Sequence, residues 1–196
     1  MAQSAGAAAD CHNPGVSADG RFVVFVSAAG NLVTNDSNGS FDVFVRDRLL
    51  GKTMLVSVNE SGAGSGNAAS QAPTISSNGQ FVVFESAASD LVSNDTNNAS
   101  DVFLRDLVAG TTTLISVNTN GVSPGNLESI APRITPDGRY LLFASRASDL
   151  AVGDANKAVD LFVRDTVAGT TTLVTRNSAN TGSFAGKSAN CKTMSL

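Results

Sequence analysis

One string of residues is written three times in this chain, and no other feature limits its fold as strongly. Residues 17–47 (SADGRFVVFVSAAGNLVTNDSNGSFDVFVRD), 76–106 (SSNGQFVVFESAASDLVSNDTNNASDVFLRD) and 135–165 (TPDGRYLLFASRASDLAVGDANKAVDLFVRD) align without a gap. Pro14, Pro73 and Pro132 stand 59 residues apart. So do Gly20, Gly79 and Gly138, and so do the pairs Arg46-Asp47, Arg105-Asp106 and Arg164-Asp165. A fixed period of this length marks a chain built from one supersecondary unit, each copy burying its apolar surface on the next.

Every copy reads as four short strands. The first is expected around 14–17, 73–76 and 132–135. It ends in a turn carrying Asp19-Gly20, Asn78-Gly79 or Asp137-Gly138, dipeptides that tolerate positive φ in two-residue hairpins. The second, at 22–26, 81–85 and 140–144, is apolar at consecutive positions, which suits a sheet covered on both faces. The third is expected at 42–46, 101–105 and 160–164, and a Thr/Val-rich fourth at 53–58, 112–117 and 171–176. No helical periodicity of useful length occurs. Four antiparallel strands per unit, with both faces apolar, describe the blade of a β-propeller.

The pattern Pro-x-Ile/Val-Ser/Thr-x-Asp/Asn-Gly-Arg, then an apolar strand, then Asp-Val-Phe-Val-Arg-Asp, resembles the TolB-type, WD-repeat-like propellers of bacterial periplasmic and secreted proteins. The resemblance runs from about Cys11 to Arg176 and implies an extracytoplasmic protein, periplasmic or secreted. It specifies a fold and not an activity, because such blades serve binding, scaffolding and catalysis alike. One departure is the long loop 87–100, where that group usually has a short connection.

The expected architecture is therefore all-β, a half-ring of three four-stranded blades. An N-terminal segment 1–12 precedes blades at 13–71, 72–130 and 131–176. The tail 177–196 begins a fourth repeat, since Ala189-Asn190-Cys191-Lys192 echoes Ala9-Asp10-Cys11-His12. Propellers close with four to eight blades, and an open stack of three leaves two apolar end faces in water. Self-association into a closed six-bladed ring, as a homodimer, is expected, or completion by further sequence. The opening MAQSAGAAAD has neither a basic start nor a long apolar run, so it reads as a mature or added start and not as an intact signal peptide.

Connectivity says where function sits. In a four-stranded meander the 1–2 and 3–4 turns lie on one side of the ring, and the 2–3 and inter-blade loops on the other. Here the first pair is short and the second long, so irregular sequence gathers on one rim, the favoured place for binding on a rigid scaffold.

The strongest candidate site lies on that rim. Asp-x-Asn-x-x-x-Asp recurs as Asp36, Asn38, Asp42, as Asp95, Asn97, Asp101, and as Asp154, Asn156, Asp160. Alternating oxygen ligands followed by a further carboxylate suit Ca²⁺, with backbone carbonyls and water completing its shell. Ser40 adds a hydroxyl in the first copy only. The motif lacks the sixth-position Gly and terminal Glu of an EF-hand, and Asp and Asn also shape loops with no metal by bonding their own backbone. Both readings stand at this point.

Other constellations are weaker. The identical recurrence of the Arg-Asp pairs points to scaffold chemistry, an ion pair and a turn-opening aspartate in every blade. Ser27, Ser86 and Ser145 recur after the second strand, as backbone-bonding groups. His12 is the one histidine, so a nucleophile–histidine arrangement could exist only there, and histidine-cluster zinc is excluded by count. Net charge is −4 with 13 scattered Lys and Arg, which leaves no basic stripe for nucleic acid, and no window is apolar enough for a membrane span.

Of eleven Phe and Tyr, nine fall at three repeated core positions, leaving Phe41 and Phe184. An aromatic-platform lectin is disfavoured, while a calcium-bridged or polar sugar site stays open. Cys11 and Cys191 fit either a disulfide, across a subunit seam in a head-to-tail dimer, or two free thiols. The function expected is a non-enzymatic binding or scaffold module, Ca²⁺ bracing its loops, with a protein or polysaccharide ligand at the rim. The competing reading is a module of a carbohydrate-active lyase or hydrolase with its site on the same rim.

Overall fold

The computed structural model describes residues 6–177, 179 and 182–183. Among the described residues all regular structure is β-strand, in three sheets of identical topology. Blade 1 is β1 (Cys11–Val16), β2 (Phe22–Ser27), β3 (Asp42–Asp47) and β4 (Lys52–Leu55). Blade 2 is β5 (Ser70–Ile75), β6 (Phe81–Ser86), β7 (Asp101–Asp106) and β8 (Thr111–Leu114). Blade 3 is β9 (Ser129–Ile134), β10 (Tyr140–Ser145), β11 (Asp160–Asp165) and β12 (Thr170–Leu173). Each blade is an antiparallel meander, and the innermost strands β1, β5 and β9 pack on one another along the axis. The blade expectation is borne out.

The first strand of each blade starts earlier than its sequence suggests. Its register with the second strand shifts once, at a bulge containing Asn13, Ala72 or Ala131. These residues hold φ of 50°, 52° and 54°, and the bulge carries pairing past the proline that follows each of them. The fourth strand ends sooner than expected. After Leu55 the backbone keeps one further bond to β3, Val56 N–H to Val43 O at 2.8 Å, and then leaves the sheet.

The consecutive apolar positions split by the period-two rule into two different faces. One face carries phenylalanine: Phe25 and Phe44, Phe84 and Phe103, Phe143 and Phe162, offset-stacked at 5.7, 5.9 and 5.8 Å. The other carries Val24, Val26, Val43, Val45 and Val56 in blade 1, and Val83, Val102, Leu104 and Ile115 in blade 2. The Val face of blade 1 packs on Phe84, Phe103 and Leu114 of blade 2. The Val face of blade 2 packs on Phe143, Phe162 and Leu173 of blade 3.

Two further contacts repeat from blade to blade. The Phe22 ring lies against the turn of blade 2, where a Cβ on Gly79 would come within 2.3 Å of it. Phe81 meets Gly138 the same way, at 2.4 Å. Both glycines have φ above +70°, so backbone conformation and the neighbouring ring exclude a side chain together. A backbone ladder runs beside them, from Ala18 N–H to Ser77 O and from Ser77 N–H to Pro136 O.

The recurrent Arg-Asp pairs are not ion pairs. Neighbouring residues on a strand point to opposite faces, so Arg46, Arg105 and Arg164 turn away from their aspartates and donate to Thr53, Thr112 and Thr171. Asp47 instead receives Arg21 across the β2–β3 pair at 2.7 Å, and Asp165 receives Arg139 at 2.8 Å. In blade 2 Gln80 replaces the arginine and donates to Asp106 at 3.1 Å.

Candidate functional site on the long-loop rim

The loops 28–41, 87–100 and 146–159 connect the second and third strands and lie beside the inter-blade loops. Buried serines anchor their first residues. Ser27 accepts the Ala29 N–H and donates to Asp10 O, and Ser86 and Ser145 bond Ala88, Ala69, Ala147 and Glu128 in the same way.

The Asp-x-Asn-x-x-x-Asp residues do come together. Asn38 Oδ1 accepts the Ser40 N–H at 2.7 Å, an Asx turn of the kind that Asn97 and Asn156 repeat. The Asn38 amide reaches Asp42 Oδ2 and Gly66 O, both at 2.8 Å. Asn97 likewise reaches Asp101 Oδ2 at 2.7 Å and Gly125 O at 2.8 Å. One asparagine thus ties its own loop to the connection entering the next blade. The fully buried Asp42 and Asp101 also accept the hydroxyls of Ser57 and Ser116 at 2.6 and 2.5 Å, and Asp160 that of Thr175.

The first aspartate of each motif is differently placed. Asp36, Asp95 and Asp154 are only 7%, 6% and 9% exposed, yet Asp36 Oδ2, both oxygens of Asp95 and Asp154 Oδ1 have no hydrogen-bond partner. Ser65 and Ser183 stand beside Asp36 and Asp154 and favour their charged forms. At the equivalent position blade 2 has Pro124, which offers no hydroxyl, and Asp95 keeps only the influence of the nearby Asn97 backbone N–H. Burial raises all three carboxyls above the ordinary range.

The two aspartates of a motif also act on each other. Burial pushes Asp42 up to about 6 and Asp101 to about 7, with the neighbouring Asp36 and Asp95 adding to the rise. Asp160 does the same to Asp154, from hydrogen-bonding distance. No arginine or lysine enters among the causes of these shifts. Each loop therefore holds two buried carboxyls without a basic partner, an arrangement that calls for a proton or a cation.

A second feature, where the loops beside Glu60 and Val92 meet the outer strand of blade 2, was not visible from the motifs. Three adjoining clefts, of about 250, 330 and 350 Å³, share Glu60 and Val92. Asn59 lines two of them, Arg105 and Arg164 reach one each, and Asp90 borders another. Burial lowers the Arg105 and Arg164 guanidinium pKa values, although both groups stay charged. Glu60 and the half-buried Arg105 and Arg164 stand around the apolar Val92 in these clefts. The one available signal was that Glu60 breaks the repeat, with Thr119 at its place in blade 2.

His12, near the start of β1, packs edge-on against Phe41 of the loop 28–41 at 5.0 Å. Cys11 is exposed with a free thiol, and Cys191 and Phe184 lie outside the described residues. No helix among the described residues is long and apolar enough to cross a membrane.

No protein-family model matches the chain, and a search of curated proteins finds no match. Among solved structures it is similar to TolB from Acinetobacter baumannii, with a TM-score of 0.51 at 17% identity over 85% of this chain. It is also similar to a TolB from Agrobacterium tumefaciens, with a TM-score of 0.53 at 16% identity over 84% of this chain. The matches span 32% and 48% of those two proteins. The likeness concerns fold alone: three four-stranded β-propeller blades similar to those of TolB.

Proposed function

We propose that this chain is a non-enzymatic binding or scaffold module, a half-propeller that a second copy closes into a six-bladed ring. Its long-loop rim receives a protein or a polar ligand such as a polysaccharide, in the clefts around Glu60. By resemblance to TolB-type propellers it works outside the cytoplasm, in the periplasm or after secretion.

The observation that carries this reading is what the two end blades leave over. Both internal junctions set a Val face on a Phe face. Blade 1 retains a Phe face with no blade against it, its Phe44 and Leu55 already buried and Phe25, Leu32 and Val33 half-buried beside them. Blade 3 retains an unmated Val face, with Leu142, Leu161 and Val163 half-buried and Val174 exposed. A copy turned half a revolution brings each leftover face opposite its complement, twice, as a closed two-fold ring requires. Tyr140, 37% exposed, and Gly20 are the unmatched members of the Phe22–Gly79 and Phe81–Gly138 series. The backbone ladder cannot continue across the seam, because Pro136 has no N–H. Closure therefore rests on apolar packing.

Light scattering on the 196-residue chain tests this directly. The expected mass is twice the 19.9 kDa of one chain, falling to one chain in Val163→Lys, which places a charge on the seam. A wild-type chain that stays single at tens of micromolar overturns closure by a second copy.

A further inference from the structure

We infer that the paired aspartates Asp36/Asp42, Asp95/Asp101 and Asp154/Asp160 are three equivalent calcium sites, each bracing one long loop against the connection that enters the next blade. Two independent observations meet here. The first is geometric: one Asx-turn loop is built three times, and in it Asn38 and Asn97 tie the second aspartate of the motif to the connection entering the next blade. The second is the set of orphaned oxygens. Asp36, Asp95 and Asp154 are at least nine-tenths buried, and each presents a carboxylate oxygen that no donor satisfies. An uncompensated buried carboxylate costs several kcal/mol by general estimates, and the chain repeats this arrangement in every blade.

The donor chemistry selects the ion. The side-chain ligands on offer are all oxygens, two carboxylates in each loop, the Asn carbonyl being engaged by a backbone N–H. No His or Cys stands in any of the three loops, so soft-metal sites are disfavoured. With two carboxylates per loop and no cluster of three or more His, Cys, Asp or Glu among the described residues, most of the shell would have to be backbone carbonyls and water. Ca²⁺ accepts irregular shells of six to eight oxygens completed by backbone carbonyls and water, whereas Mg²⁺ demands a tight octahedron and dehydrates reluctantly. Blades 2 and 3 each leave two carboxylate oxygens without partners, both of Asp95 in blade 2, where Pro124 offers no hydroxyl, and Asp154 Oδ1 with Asp160 Oδ2 in blade 3. Because Asn38 and Asn97 bond both the second aspartate and the next blade's connection, an ion there stiffens the junction as well as the loop. These sites do not depend on ring closure.

The test is equilibrium dialysis of the whole chain against calcium chloride or magnesium chloride, with bound metal counted by mass spectrometry, alongside thermal melts. Calcium retained at up to three ions per chain is expected, with magnesium retained less. The melting temperature should rise by about 5–10 °C for each occupied site at calcium about 100-fold above Kd and return on adding EGTA. Asp95→Asn should lower the stoichiometry by one, and the dialysis and melts of the wild-type chain decide the matter even if that variant fails to fold. Absence of both bound calcium and a melting shift overturns the proposal and leaves each pair sharing a proton. Calcium undiminished in folded Asp95→Asn overturns its placement.

Discussion

Asp47 accepts the Arg21 guanidinium at 2.7 Å while capping the Leu49 and Leu50 amides at 2.9 and 3.1 Å. Its carboxyl is held well down, to about 2, first by Arg21 and then by those amides. A carboxylate whose folded pKa lies below its unfolded value near 4 contributes its stabilisation fully above that value. The contribution is lost as pH falls from about 4 towards 2. Arg21→Gln, which installs the residue blade 2 already uses, should leave the fold intact at neutral pH and move acid unfolding to higher pH. A circular-dichroism titration from pH 6 to 2 checks this, and coincident curves for the two chains would refute it. The partner of Asp47 was not legible in sequence, because the adjacent Arg46 competes for notice and only strand register shows that it points the other way. The bulge conformation of Ala72 and Ala131 was equally hidden, since alanine gives no sign of positive φ, while Asn13 at the same place tolerates it well. Ala131→Asn should accordingly raise stability by up to about 1 kcal/mol, measured by urea denaturation.

At the scale of the strand and blade, the repeat carried most of the information. Turn dipeptides and consecutive apolar runs located β2 and β3 closely, because both signals are local. What the runs could not display is that their alternate positions form two unlike surfaces, one of phenylalanine and one of valine, each shaped for the other. Phe103 is fully buried where blade 2 meets blade 1. Phe103→Ala should cost about 3–5 kcal/mol, the usual range for emptying such a site, read as a shift in urea midpoint at constant m. The aspartate motif was legible as a loop with oxygen ligands. The orphaned oxygens were not, since they depend on whether serine or proline arrives from a connection about thirty positions further on. The Glu60 clefts were invisible for a similar reason, being made by loops of successive blades.

At the scale of the molecule, blade number and the excess of loops on one rim followed from the period and the loop lengths. The unmated faces followed only once the Phe and Val surfaces were distinguished. Those two junctions are built alike, and this sameness has a cost during folding. A Val face does not discriminate among the Phe faces offered to it, so blade 1 of one chain can dock blade 2 or blade 3 of another as well as its own neighbour. Chains emerging together face a choice between correct stacking and entanglement in a shifted frame, a recognised hazard of repeat proteins. Local differences such as Gln80 for arginine, Pro124 for serine and Glu85 reaching across to the Ala131 amide make the blades unequal, and so act as the addresses by which each finds its own place in line.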